Sequence, residues 1–331
     1  MPLPHPHDDE LVSYHIDHIQ FMQAQEPYYR IGADYLLSSS ATITAADRRA
    51  LCSWSYEIIE SLSNINSEVA CIGMSYLDRF MATSSPRAKV ALTTRHEYQL
   101  ATVACTVIAI KNRGGIKHLG SDFVAEVVCH GLYSKDELDD IEMEVLNALS
   151  WRLNGPTPHE FIDALVGLLS AISEDDNASS SLLLTEHSKI KVDNAVLDYN
   201  LALQSSLALA YAAILTTLKT TSVLMDRLCP MDLINWMSNI ESIMAGSRMD
   251  QIFLKGLEDV INITYFDDTE DDTEDNNMEF DDDKSKDEDN ETEDENDIQS
   301  SHSGKVKIGC PLRMRRVSED EESLIEELEC W

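Results

Sequence analysis

Apolar residues recur along the first half of the chain at the i, i+3, i+4, i+7 offsets of packed helices. Leu51, Trp54, Ile58, Ile59 and Leu62 form one stripe, and Val69, Ile72, Gly73, Tyr76, Leu77 and Phe80 form the next. Leu100, Val103, Ala104, Val107 and Ile108 follow, then Leu138, Ile141, Val145, Leu146 and Leu149. A helix over residues 10–25 precedes them. Starts are signalled by Thr44 with Asp47, Thr94 with Glu97, Ser134 with Glu137 and Thr157 with Glu160, each a Ser/Thr-x-x-acid capping pattern. Asn66 can cap a further helix through its side chain. No strand alternation of useful length occurs, so the chain is predicted to be all-α.

The stretch WRLNGPTPHEF is a boundary, because Gly155-Pro156 stops one helix and Thr157-Pro158 starts another. A second helical block runs from Pro158 to about 264, broken by the polar loop 173–181 and by Cys229-Pro230. The predicted division is an N-terminal segment with a flanking helix (1–40), a first helical domain (41–155), a second (156–265) and an acidic tail (266–331).

Some stripes contain a charge. In SEVACIGMSYLDRFMATSSP the only charges after Glu68 are Asp78 and Arg79, on a helix apolar almost all round. Neighbours on a helix point about 100° apart, so the two cannot easily pair with each other. Asp78 needs a cation from elsewhere, and Arg48 or Arg49 in the preceding helix is nearest; Arg79 has no evident partner. Lys111 closes the stripe that begins at Leu100, and Glu142 interrupts the one that begins at Leu138. Either each lies at a stripe's edge, with Lys111 reaching to water, or both border a surface where another protein docks.

Composition sharpens this. The net charge is −35 over 331 residues, but residues 267–297 carry 19 Asp/Glu against two Lys. The segment after 297 holds seven acids against five bases, which leaves −16 on the body up to Phe266. Such a body repels phosphate backbones, so nucleic acid is not the expected partner. Seven scattered cysteines without a CxxC pair read as buried thiols in a reducing compartment. No signal-peptide pattern opens the chain, and polar residues interrupt 201–218, the most membrane-like stretch, so no membrane partner is expected. His5, His7, His15 and His18 cluster, but no cysteine or carboxylate set completes a site, so neither a metal nor another cofactor is expected.

The order DRRALCSW, SYLDRF, YQLATVACTVIAIK, YSKDELDDIEMEVLNALSWRL, TPHEFID resembles the cyclin box, nearest to the D-type cyclins, over roughly residues 11–169. The resemblance implies a five-helix cyclin fold followed by a second fold of the same kind. It implies a salt bridge between Arg48 and Asp78, kinase-binding roles for Lys111, Glu142, Trp151 and Leu153, and a substrate-docking patch at Leu51, Trp54, Glu57 and Gln99. Two departures are visible. Asp47 and Ala50 stand where the family's docking pattern is apolar and larger, which shrinks the patch, and Asn112-Arg113-Gly114 replaces an apolar residue and an acidic pair after Lys111.

The function this implies is that of a non-enzymatic regulatory subunit. It would bind and activate a cyclin-dependent protein kinase in the nucleus or cytoplasm, with kinase substrates or inhibitors as further partners. The alternative is a cyclin-fold scaffold or transcription-related adaptor that activates no kinase. The tail reads first as a solvating segment. Thr269, Thr273 and Thr292 within it, and Ser318 in RRVSEDE, are candidate phosphorylation sites, and KVK with RMRR is a weak nuclear-import pattern.

Overall fold

A computed structural model describes residues 6–244 apart from 39–40, 63, 117–118, 174–177, 222–223 and 225–226, together with 255, 258, 259 and 261. All regular structure among the described residues is helical. Helix α1 (Pro6–Gln25) leads through short 3₁₀ turns at Glu26–Tyr28 and Tyr35–Leu37 into α2 (Ala45–Ser61), α3 (Glu68–Met81), α4 (Pro86–Ala91) and α5 (Arg95–Arg113). The short α6 (Ser121–Phe123) continues as a π turn (Val124–Val128), and α7 (Lys135–Ala148) closes the first block. The second block holds α8 (Pro158–Ile172), α9 (Ala178–Leu197), α10 (Tyr199–Ala202), α11 (Ser206–Thr220) and α12 (Pro230–Met244).

Three of the four predicted capping boxes close, at Thr44/Asp47, Ser134/Glu137 and Thr157/Glu160. The fourth does not. Thr94 is the N-cap residue of α5 but makes no side-chain cap bond, because the Glu97 carboxylate is taken by Arg87 Nε at 2.7 Å. Asn66 caps α3 as expected, its Oδ1 accepting from Glu68 N at 2.9 Å.

Helices α3 and α5 form the centre of the first block, and every residue of α5 from Tyr98 to Ile110 is buried. Their axes approach closely at Gly73, where a Cβ would lie 3.2 Å from Thr106 Cα. Helix α7 packs on α5, and α2 on α3. In the second block α8, α9 and α11 pack mutually, with Trp236 of α12 buried on α8 and donating from Nε1 to Leu165 O at 2.8 Å. Helix α1 crosses α8 rather than the first block. The predicted membrane-like stretch is two helices with a break at 203–205, and no helix among the described residues is long and apolar enough to cross a membrane.

Candidate partner-binding face

Asp78 is 2% exposed and accepts three hydrogen bonds: from Arg48 Nε at 2.9 Å, Arg48 Nη2 at 2.8 Å and Tyr35 Oη at 2.8 Å. Of the two sequence candidates the partner is therefore Arg48, in a bidentate pair. Burial works against the Arg48 charge, but the attraction of Asp78 outweighs it and holds the guanidinium well above its ordinary pKa. Its remaining nitrogen reaches out of the first block, Nη1 donating to Val196 O at 2.8 Å near the end of α9, and its Cζ lies 5.6 Å from the centre of the Tyr199 ring. Tyr199 in turn donates to Asp34 at 2.9 Å. The pair thus sits at the junction of the two blocks.

Lys111 and Glu142 come together at the surface end of the same bundle. Lys111, in the last turn of α5, donates to both Glu142 oxygens at 2.9 and 2.7 Å, and the side chains remain 26% and 20% exposed. Partly exposed pairs of this kind contribute at most about 1 kcal/mol to folding. Their charges stay within reach of an incoming surface. After α7 come two left-handed residues, Ser150 (φ 54°) and Trp151 (φ 58°), with Trp151 59% exposed and its indole N–H on Asn147 Oδ1 at 3.3 Å. Leu153 is half-buried against the core, and its carbonyl accepts from Tyr76 Oη at 2.8 Å.

The two side chains after Lys111, though exposed, bond back to the protein. Asn112 Nδ2 donates to Tyr76 Oη at 3.1 Å and to Asn154 Oδ1 at 3.0 Å. Arg113 Nη2 pairs with Glu160 of α8 at 2.7 Å. The segment 151–157 is therefore bound to the first block along its length, with Thr157 Oγ1 also donating to Glu68.

The four docking-patch residues divide differently. Leu51 and Trp54 on α2 and Gln99 on α5 are all buried, and Glu57 alone is exposed. Trp54 lines a narrow apolar cleft with Ile58, Val107, Phe123 and Val128, and its indole N–H has no acceptor among the described residues. Asp47 at the edge of the patch is held by Arg95 Nε at 3.0 Å.

Residues 17–154 match the profile of the family described as "Cyclin, N-terminal domain". This segment is similar to the cyclin box. Arg48, Asp78, Lys111, Glu142, Trp151, Leu153 and the four patch residues all fall inside the matched segment. Among curated relatives, the chain is 27% identical over 187 residues to the G1/S-specific cyclin-D1 of Danio rerio, covering 55% of this chain and 57% of that one. It is 29% identical over 161 residues to the G1/S-specific cyclin-D2 of Xenopus laevis, covering 47% and 48%. The chain thus spans about half the length of these relatives. Among solved structures, a viral cyclin from herpesvirus saimiri matches 75% of this chain and 95% of its own with a TM-score of 0.54 at 19% identity, so the two share a fold.

Two groups around the matched segment carry no sequence signal. Arg79, left without a partner by the sequence, donates from Nη2 to Arg152 O at 2.8 Å and lies over the Tyr29 ring at 5.2 Å. Asp193 of α9 accepts from Tyr56 Oη at 3.0 Å and Ser67 Oγ at 2.8 Å, and lies 3.0 Å from Nε2 of the buried His159 without the alignment of a hydrogen bond. Among the described residues no group of three or more His, Cys, Asp or Glu could hold a metal ion. Cys52, Cys71, Cys105 and Cys129 are buried free thiols, and burial pushes Cys52 and Cys129 up to about 12; Cys229 is exposed. Ser318, Thr269, Thr273 and Thr292 lie outside the described residues.

Proposed function

We propose that this chain is a regulatory subunit that binds and activates a cyclin-dependent protein kinase and so acts in cell-cycle control, without chemistry of its own. The observation that carries this reading is the Lys111–Glu142 pair, which joins the last turn of α5 to the middle of α7 within the segment that matches the cyclin profile, with the exposed Trp151 just after α7. A rigid helical face of this kind acts by differential affinity: it binds the active arrangement of a kinase better than the inactive one and shifts the population by that difference. Kinase substrates or inhibitors would dock at Leu51, Trp54, Glu57 and Gln99. The domain limits that go with this reading are 41–155 and 156–265, and the body charge of −16 argues against a nucleic-acid partner.

A second reading, a cyclin-fold scaffold that activates no kinase, is favoured by one group of contacts. Asn112 and Arg113 are committed to Tyr76, Asn154 and Glu160, and three of the four patch residues are buried, so less polar and apolar surface is free for partners.

The two readings separate in one experiment: capture of cellular kinases on the wild-type chain and on a chain carrying Lys111→Glu with Glu142→Lys, followed by a histone-phosphorylation assay of the captured material. Kinase and activity on the wild type alone are expected. Equal recovery on both chains removes the assigned face, recovery on neither supports the scaffold, and captured kinase without activity separates binding from activation.

A further inference from the structure

Arg79 is the charged group that the docking face leaves unexplained. It lies in α3 among apolar neighbours at 9% exposure, and among the described residues no carboxylate pairs with it. Burial accordingly lowers its pKa from the ordinary arginine value. A desolvated cation without a counter-ion costs stability, and a well-packed neutral side chain of similar volume is usually tolerated in its place. Its effect must therefore be sought in what it holds.

What it holds is the peptide that follows a strained turn. Left-handed φ at two successive non-glycine residues, Ser150 and Trp151, is costly, most of all for the bulky indole. The turn is closed on one side by Ser150 N to Asn147 O and Trp151 N to Leu146 O, both 2.9 Å. On the other side the first carbonyl after Trp151, that of Arg152, is taken by Arg79, and the next, that of Leu153, by Tyr76. Arg152's own guanidinium lies 5.9 Å from the Tyr28 ring centre, while Arg79 lies over Tyr29. Two consecutive tyrosines after α1 are thus stacked on the two arginines whose peptide and side chain meet.

We propose that Arg79 is a positioning residue for the partner-binding face: by holding the Arg152 carbonyl it maintains the left-handed Ser150–Trp151 turn and presents the Trp151 indole outward to the kinase. Without the donor the Arg152 peptide can rotate, the turn relaxes toward ordinary negative φ, and the indole leaves its place. Only the final step rests on the kinase-binding reading of Trp151.

The test uses the full chain with Arg79→Met, Trp151→Ala and both together. Arg79→Met removes the donor but keeps the volume. Amide exchange at residues 150–153 should quicken about tenfold or more, a charged hydrogen bond being lost, while exchange in α5 and the melting temperature hold. Unchanged exchange at 150–153, or faster exchange spread through α5 with a lower melting temperature, overturns the proposal. For the kinase that the wild-type chain captures, Arg79→Met should weaken binding about tenfold, and the double variant should bind no more weakly than Trp151→Ala alone. Fully additive losses overturn the link through Trp151. If Trp151→Ala captures kinase as well as the wild type, the kinase-facing assignment of Trp151 falls, while the exchange measurement still decides whether Arg79 holds the turn.

Discussion

Asp78 is one carboxylate answering one guanidinium in a site closed to water, so the cost of removing it is set by what is left behind. With Asp78→Ala, Arg48 stays fully buried with the Val196 and Leu197 carbonyls and the Tyr199 ring but no carboxylate, and a buried charge stripped of its partner costs about 3–5 kcal/mol. The expected outcome is a fall in melting temperature on the order of 10 °C; under the proposed function, kinase capture is recovered when the variant is assayed well below its transition. An unchanged melting temperature would refute the account. Glu26 presents the opposite case. Burial raises its pKa above the ordinary 4.5 despite the Ser206 N–H that it accepts at the start of α11 and the nearby Arg30. A carboxyl raised on folding contributes stability that is complete below its unfolded pKa and is lost as pH rises through the folded one. Glu26→Gln escapes that loss and can still accept from Ser206. The variant should melt higher than wild type at pH 7, with the difference shrinking to nothing as pH falls toward 4.5. A constant difference across that range would assign the effect to packing.

At the level of elements, the α3–α5 contact is the most extensive in the first block. At Gly73 a Cβ would sit 3.2 Å from the Thr106 backbone, a gap a small shift can open, and alanine adds roughly 1 kcal/mol of helix propensity over glycine. Gly73→Ala should therefore be nearly neutral in thermal unfolding, whereas Gly73→Val, with two further methyls against α5, should cost about 1–3 kcal/mol. Equal effects of the two would show that the helices are not in contact there. The stripes that named α2, α3, α5 and α7 were readable because each buried face repeats within the helix itself. The Asp47, Glu137 and Glu160 caps were readable for the same reason, since donor and acceptor lie three residues apart. Glu97 was misread because its competitor, Arg87, belongs to α4, a six-residue helix too short to show a period. The α6–π turn segment left no stripe for the same reason. Arg79's partner could not be read at all: the acceptor is a backbone carbonyl 73 residues away, and carbonyls are identical in every residue.

The whole molecule is held at one seam, and α9 is where the first block meets the second. Arg48 reaches Val196, and one turn earlier Asp193 receives Tyr56 from α2 and Ser67 from the start of α3. Arg113–Glu160 and Thr157–Glu68 tie the start of α8 to the same block. None of this was visible in KIKVDNAVL, where Asp193 looks like an ordinary helix-surface acid, because its hydroxyl donors lie 126 and 137 residues away. These polar contacts lie on an apolar core that is continuous through both blocks, so the coupling can rest on the polar groups or on the apolar packing, and removing Asp193 separates the two. Asp193→Ala leaves the Tyr56 and Ser67 hydroxyls without their acceptor and His159 without its neighbouring carboxylate, a loss of about 3 kcal/mol placed at the seam rather than within either block. A perturbation inside one block would lower a single transition. A perturbation at the seam should instead separate the blocks, so that scanning calorimetry of Asp193→Ala shows two transitions, or a calorimetric enthalpy exceeding the van't Hoff value, where the wild-type chain shows one. Glu186→Ala, on the exposed side of the same helix, controls for changes in α9 itself and should leave one transition. A single sharp transition for Asp193→Ala, merely shifted downward, would mean that the blocks are joined by their apolar contacts and that Asp193 only adds to the stability of the whole.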